Sequence, residues 1–395
     1  MTHLSYRIKQ IFFRIFFKIS YYTNFHFTLL SPKFRSNSLK KLKILHIYNF
    51  TSANAGDTIL PICVRDIFTK TFNSDIRWTS LSIRKDVTSD TINYVNQFDL
   101  IVIGGGGLFI SDSNYNNKSG WQWSIANDLL DKITSPISIF AVGYNQFNLA
   151  PKFPKIFHTA LKDLHKKSLF FGIRNHGSIK SLGNILSGKI SYQPCPTTFI
   201  NYIYDLNTSS NAKKKNISFV IAFDRYEYRY KNDLNFFVNN TKLLITKLSN
   251  KYNIELVFHY PGDEMILHID DFFKNIKHVF LFDSNPKNII DYYSNTSLVF
   301  AMRGHAQMIP FGLGVPFISL ITHPKLQWFA DDVLFHKYCL EITDKEFVNK
   351  AIFFVEEIFL NYEKVRNKIL SKNKQLYLQT YKNIKNIEQN INNAT

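Results

Sequence analysis

Cysteine is almost missing from the 395 residues: only Cys63, Cys195 and Cys339 occur, far apart and in no C-x-x-C pair. That argues against a disulfide framework or a structural zinc and for a reduced compartment. Acidic residues are missing from the start of the chain, where Asp57 is the first. Nine cations precede it (Arg7, Lys9, Arg14, Lys18, Lys33, Arg35, Lys40, Lys41 and Lys43), half of the net charge of +18. Apolar stretches are broken by charge before they reach the roughly 20 residues that span a bilayer. The body is therefore expected to be soluble and cytoplasmic. No H-E-x-x-H metal motif, no G-x-x-x-x-G-K-[ST] phosphate loop and no G-x-G-x-x-G fingerprint is found. No nucleic-acid fold motif accompanies the positive charge, which alone does not argue for DNA or RNA.

What is present is enough apolar residue, 45% of the chain, to fill two cores, and the length predicts two domains. Residues 1–43 stand apart. Ile8, Ile11, Phe12, Phe13, Ile15, Phe16, Phe17 and Ile19 alternate with basic residues. This pattern fits a basic helix lying in an anionic membrane interface, or one docked on the protein's own surface. From Lys43 onward strands alternate with helices. Strands are expected at Lys43–Tyr48, Asp99–Ile103, Ser138–Gly143 and Phe170–Arg174, in a first domain over 44–206. The polar, basic stretch 207–216 reads as a linker. The alternation then restarts over 217–345, with strands at Ile217–Phe223, Ile254–Tyr260, His278–Phe282, Ser297–Ala301 and Val315–Leu320. Residues 346–395 close the chain, with Phe347–Ile387 expected as one long helix across both domains. This doubled pattern implies an α/β fold of two Rossmann-like domains facing a cleft.

In such sheets ligands bind at the carboxyl ends of strands. Five loops stand there. Asn54-Ala55-Gly56-Asp57 either orients sugar hydroxyls or a phosphate, or is ordinary capping, with Asp57 as the N-cap. Gly104, Gly105, Gly106 and Gly107 form a glycine-rich turn after a strand, open to a ligand or used for close packing. Arg174 ends another strand, as a ligand for an anion or in a surface ion pair. Arg303-Gly304-His305 opens a helix after the strand Ser297–Ala301, and Lys325 follows the next strand. Arg174, Arg303 and Lys325 together suit one small anion, since arginine grips carboxylate or phosphate through a fixed fork. His305 is the best-placed proton donor or acceptor.

These residues resemble the polysaccharide pyruvyl transferases. The ordered set is Asn54-Ala55-Gly56-Asp57, Asp99 through Gly107, Ile173-Arg174 through Ser178, Arg303-Gly304-His305-Ala306, Gly314-Val315-Pro316 and Lys325. Gly304 stands where the family has leucine, and Pro194-Cys195-Pro196 where many members carry an aspartate between prolines. The resemblance covers roughly residues 44–335 and implies a fold like the GT-B glycosyltransferases. It also implies phosphoenolpyruvate as donor, with no further cofactor and no metal. The acceptor would be a sugar of a bacterial surface polysaccharide (exopolysaccharide, capsule or lipopolysaccharide) or its lipid-linked precursor, and the product a pyruvate ketal. Arg174 and Arg303 would bind the donor and His305 would move protons. Residues 1–43 would place the enzyme at the inner face of the membrane. Two other functions fit the same cleft: glycosyl transfer from a nucleotide sugar, and sugar or phosphate binding without turnover.

Overall fold

The computed structural model describes residues 41–49, 53–114, 116–147, 149–207, 209–230, 233–282 and 284–394. Most of the expected basic N-terminal helix, residues 1–40, lies outside the described residues. Lys41 and Lys43 belong instead to the first strand.

Short runs of valine, isoleucine, leucine and phenylalanine form the strands, and most connections carry a helix back over a sheet face. Strands joined this way pair in parallel and are buried on both sides. The first sheet contains β1 (Lys41–Tyr48), β2 (Asp75–Ser82), β3 (Leu100–Ile110), β4 (Ile137–Asn145), β5 (Ser168–Ile173) and β6 (Ser191–Tyr192), in the order β2-β1-β3-β4-β5-β6. The second contains β7 (Asn216–Val220), β8 (Asn253–Phe258), β9 (Lys277–Phe280), β10 (Leu298–Ala301), β11 (Phe317–Ile321) and β12 (Cys339–Glu341), in the order β12-β11-β10-β7-β8-β9. Every pairing in both is parallel. The chain reverses direction between β1 and β3 in one sheet and between β7 and β10 in the other. At such switch points the helices on either side diverge and leave a crevice beyond the strand ends.

Four helices matter for that crevice: α1 (Ala55–Thr71), α2 (His176–Gly183), α3 (Gly304–Gly312) and α4 (Pro324–Asp332). The helix expected over 347–387 is two helices, α5 (Phe347–Leu360) and α6 (Tyr362–Ala394), separated at Asn361. The second of them ties both sheets together. Tyr362 donates to the Ser297 carbonyl and Asn373 to that of Phe311, whereas Asn383 donates to the Tyr192 carbonyl and Glu388 accepts from the Asn73 N–H. One apolar core runs from Ile44, Val102 and α1 through Phe199 and Ile200 to Phe219, Phe300 and Phe317.

Candidate active site

Asn54, not Asp57, caps α1: its Oδ1 accepts from the Gly56 N–H at 2.9 Å. Asp57 lies in the first helical turn, with Asn49 donating to it at 3.2 Å. The same loop meets the second sheet. The Ala55 N–H donates to the His259 carbonyl at 2.9 Å. The His305 ring, from the first turn of α3, lies over Gly56 so closely that a Cβ there would fall 2.0 Å from His305 Nδ1. Glycine at 56 is what lets the two loops meet.

The glycine run is not a turn. Strand β3 continues through it to Ile110. Gly105 packs against Leu60, a Cβ at Gly106 would lie 3.9 Å from the same leucine, and Gly104 gives its carbonyl to His46. Gly107 alone of the four meets the crevice, beside Asn145 and 3.4 Å, measured from its absent Cβ, from Arg174 Nη2. Arg174 is 6% exposed, and no group among the described residues accepts from its Nε. Gly143 makes room for it, since a Cβ there would sit 2.2 Å from that nitrogen. Lys325 crosses from the second sheet and donates to Asn145 Oδ1 at 3.0 Å.

Arg303 has carboxylate partners within the protein itself. Its guanidinium forks onto Asp263, which is fully buried, and lies 2.7 Å from Asp224 Oδ1. Burial opposes its charge, yet Asp263 and Asp224 hold it protonated well above the ordinary arginine value. Its Nε and Nη2 are both engaged, so Arg303 anchors the loops after β7 and β8. Removing one partner of a buried pair strands the other, at a cost of about 3–5 kcal/mol. Arg303→Ala should therefore lower the unfolding free energy measured in urea by that amount, and an unchanged value would refute the anchoring role.

Around this anchor stand residues that the sequence did not single out. Arg229 bonds Asp224 and Thr322. Arg225 reaches across to Asp112, beyond β3, at 2.5 and 3.0 Å. Phe147, just past β4, collects Arg225, Arg229 and Lys325 at 5.2–5.9 Å from its ring. Asp224 and Arg225 follow β7 at its switch point, and that position was the available signal.

Desolvation, Arg174 and Lys325 pull the His305 imidazole down to about 3, so it is neutral at physiological pH. Its Nε2 lies 3.8 Å from Cys195 Sγ, whose thiol is itself pushed up by burial and stays protonated. Desolvation and the neighbouring arginines likewise push the Lys325 ammonium well down. Gly304, beside them, has no atom of the described residues within 4 Å of where a side chain would begin. The result is a neutral base beside Arg174 and Lys325, both held against burial and mutual repulsion. An anion entering the crevice relieves both costs. Among the described residues no group of three or more His, Cys, Asp or Glu is placed to hold a metal ion. Among the same residues no helix is long and apolar enough to cross a membrane.

Several solved structures share this architecture. The UDP-GlcNAc 2-epimerase of Neisseria meningitidis bound to UDP-GlcNAc aligns with a TM-score of 0.50 and 12% identity, over 86% of this chain and 99% of that one. The S. aureus MnaA–UDP co-structure aligns with a TM-score of 0.49 and 13% identity, over 83% and 90%. A glycosyltransferase from Rickettsia africae gives 0.48 and 11%, over 87% and 99%. At such identities the likeness concerns the fold, which is the two-domain GT-B-like arrangement. No curated protein sequence matches the chain. The family model for polysaccharide pyruvyl transferase matches residues 54–324, from the α1 cap across both switch points to the start of α4. That stretch carries Asn54, Arg174, Arg303 and His305, and the chain belongs to the polysaccharide pyruvyl transferase family.

Proposed function

We propose that this chain transfers the pyruvate group of phosphoenolpyruvate to a sugar of a bacterial surface polysaccharide, or to its lipid-linked precursor, and closes a ketal. The observation that carries this reading is the pairing of Arg174, buried with an unpartnered Nε, and Lys325, whose ammonium has Asn145 as its hydrogen-bond partner. A donor with a carboxylate and a phosphate on three carbons supplies acceptors to both. The chemistry balances with these residues. Two acceptor hydroxyls bond to the central carbon of the donor, and its bond to the phosphate oxygen breaks. One hydroxyl proton ends on the terminal carbon, which becomes a methyl group, and the other leaves with phosphate. Neutral His305 suits the first task, taking a hydroxyl proton. Once protonated it can deliver that proton to the enol carbon. Arg174 and Lys325 offset the charge that grows on the departing phosphate.

The test is phosphate release from phosphoenolpyruvate by the purified protein, with a panel of sugar and lipid-linked acceptors. Acceptor-dependent release supports the reading, and His305→Ala should reduce it about a hundredfold at saturating donor. Near-normal turnover in that variant would remove His305 from the chemistry. Absence of release with any acceptor, together with binding of a nucleotide sugar, would replace pyruvyl transfer by glycosyl transfer.

A further inference from the structure

His323 has no part in the mechanism above, yet it stands inside the same cation cluster. It is 2% exposed and caps α4: its Nδ1 accepts the Lys325 backbone N–H at 3.0 Å. A ring nitrogen that accepts carries no proton, so the neutral ring holds its proton on Nε2. That N–H is buried and has no acceptor among the described residues. A buried donor left this way destabilises the ligand-free fold. What surrounds it explains why the protein itself supplies no partner. The charged groups that bear on His323 are Lys325, Arg229, Arg174 and Arg225, all of them donors. The aromatic ring against it is Phe147, 4.1 Å away and nearly perpendicular, and a π face is a weak acceptor. Arg174 Nε is a second buried donor without a partner in the same cluster. Two donors unpartnered among the described residues and an ammonium with one hydrogen bond, to Asn145, share one deficit, a set of negatively charged oxygens.

We infer that His323 is a third ligand-binding residue of this site, its Nε2–H donating to a phosphoryl oxygen of the anionic substrate beside Lys325. The inference rests on the proposed function only in taking the ligand to be an anion. The α4 cap and the ligand bond are then two ends of one ring. The cap fixes the tautomer, and the tautomer presents the donor.

The two ends can be separated by substitution. Asparagine places an acceptor where Nδ1 is and removes the Nε2–H. Glutamine keeps a donor near Nε2 and gives up the cap. Binding of phosphoenolpyruvate and of inorganic phosphate to the full chain would be measured by calorimetry, alongside thermal unfolding and the imidazole 15N resonances. His323→Asn should unfold as the wild type does and bind both probes ten- to a hundredfold more weakly. His323→Gln should unfold earlier but lose less affinity. In the wild type, phosphate should shift the His323 Nε2 resonance. Wild-type affinity in His323→Asn, or a resonance indifferent to phosphate, overturns the inference. Phosphate binding that needs His323, without any phosphoenolpyruvate binding, sinks the donor assignment and leaves the role of His323 standing. Wild-type protein that binds neither probe defeats both.

Discussion

Arg174→Met is expected to cut acceptor-dependent phosphate release about a thousandfold and, in the same protein, to raise the unfolding midpoint. The two effects have one cause. In the free protein Arg174 is almost wholly buried with its Nε unpartnered among the described residues, and burial depresses its pKa while the Asp57 carboxylate helps to keep the charge. A cation kept that way is a debt in the ligand-free state. Filling its volume with an uncharged side chain is worth about 1–4 kcal/mol of stability in comparable buried sites. In the transition state of the proposed reaction the same cation would offset charge on the departing phosphate. A preorganised donor there contributes a factor of about 10²–10³, and more when a full charge is lost. Turnover at saturating donor and urea unfolding decide the matter together. Lost activity with lower stability would make Arg174 an architectural residue like Arg303. Retained activity would move the donor site elsewhere. Arg303→Ala is expected to go the opposite way in stability, although both arginines follow strands at the same crevice. The difference is that two carboxylates, Asp224 and Asp263, already meet Arg303.

That contrast marks what local sequence can and cannot carry. The strand at Leu298–Ala301 and the one at Phe317–Ile321 are short apolar runs with polar ends, and a parallel sheet buried on both faces demands that pattern. The position of Arg303 and His305 beyond a strand end follows from the alternation alone. Nothing local says that Asp263, forty residues earlier, fills the arginine fork, because that contact exists only once β8 and β10 lie in one sheet. The glycine run misleads for a related reason. Glycine after an apolar strand signals a turn, but here close packing of Leu60 and the Phe140 carbonyl requires glycine inside the strand itself. Strand β2, Asp75–Ser82, carries an aspartate and an arginine on an edge that water reaches, so its apolar signal is weak. His323 looks like a loop residue until the helix it caps is in place, and only the folded site shows that its second nitrogen has no acceptor among the described residues.

The buried histidines set a second large expectation: the protein should unfold on mild acidification. His46 and His259 are fully buried and His323 nearly so. Desolvation, then Arg65, takes His46 down to about 3. Desolvation followed by Arg303 lowers His259, and desolvation followed by Lys325 lowers His323. The folded state therefore keeps all three neutral, whereas the unfolded chain protonates them near the ordinary value of about 6.5. Above that pH the groups contribute no dependence. As pH falls below it, the unfolded state gains protons that the folded state refuses, and stability drops by up to about 1.4 kcal/mol per pH unit for each histidine. Three together remove about 4 kcal/mol per unit, against a typical total of about 5–15 kcal/mol. Half-buried His305 adds a smaller share. Asp263 and Asp332, both raised by burial, work in the other direction, because a folded state that takes up a proton earlier gains stability as pH falls. Two carboxyls do not offset three imidazoles. The urea midpoint should fall steeply between pH 6.5 and 5, with the fold lost near the lower end. His46→Gln keeps a donor for the Gly104 carbonyl, which His46 Nε2 now serves, and removes one titration. It should flatten the slope by one proton's worth. A midpoint that stays level from pH 7 to 5 would mean that these rings reach water, and the burial that gives His323 an unpartnered donor would fall with it.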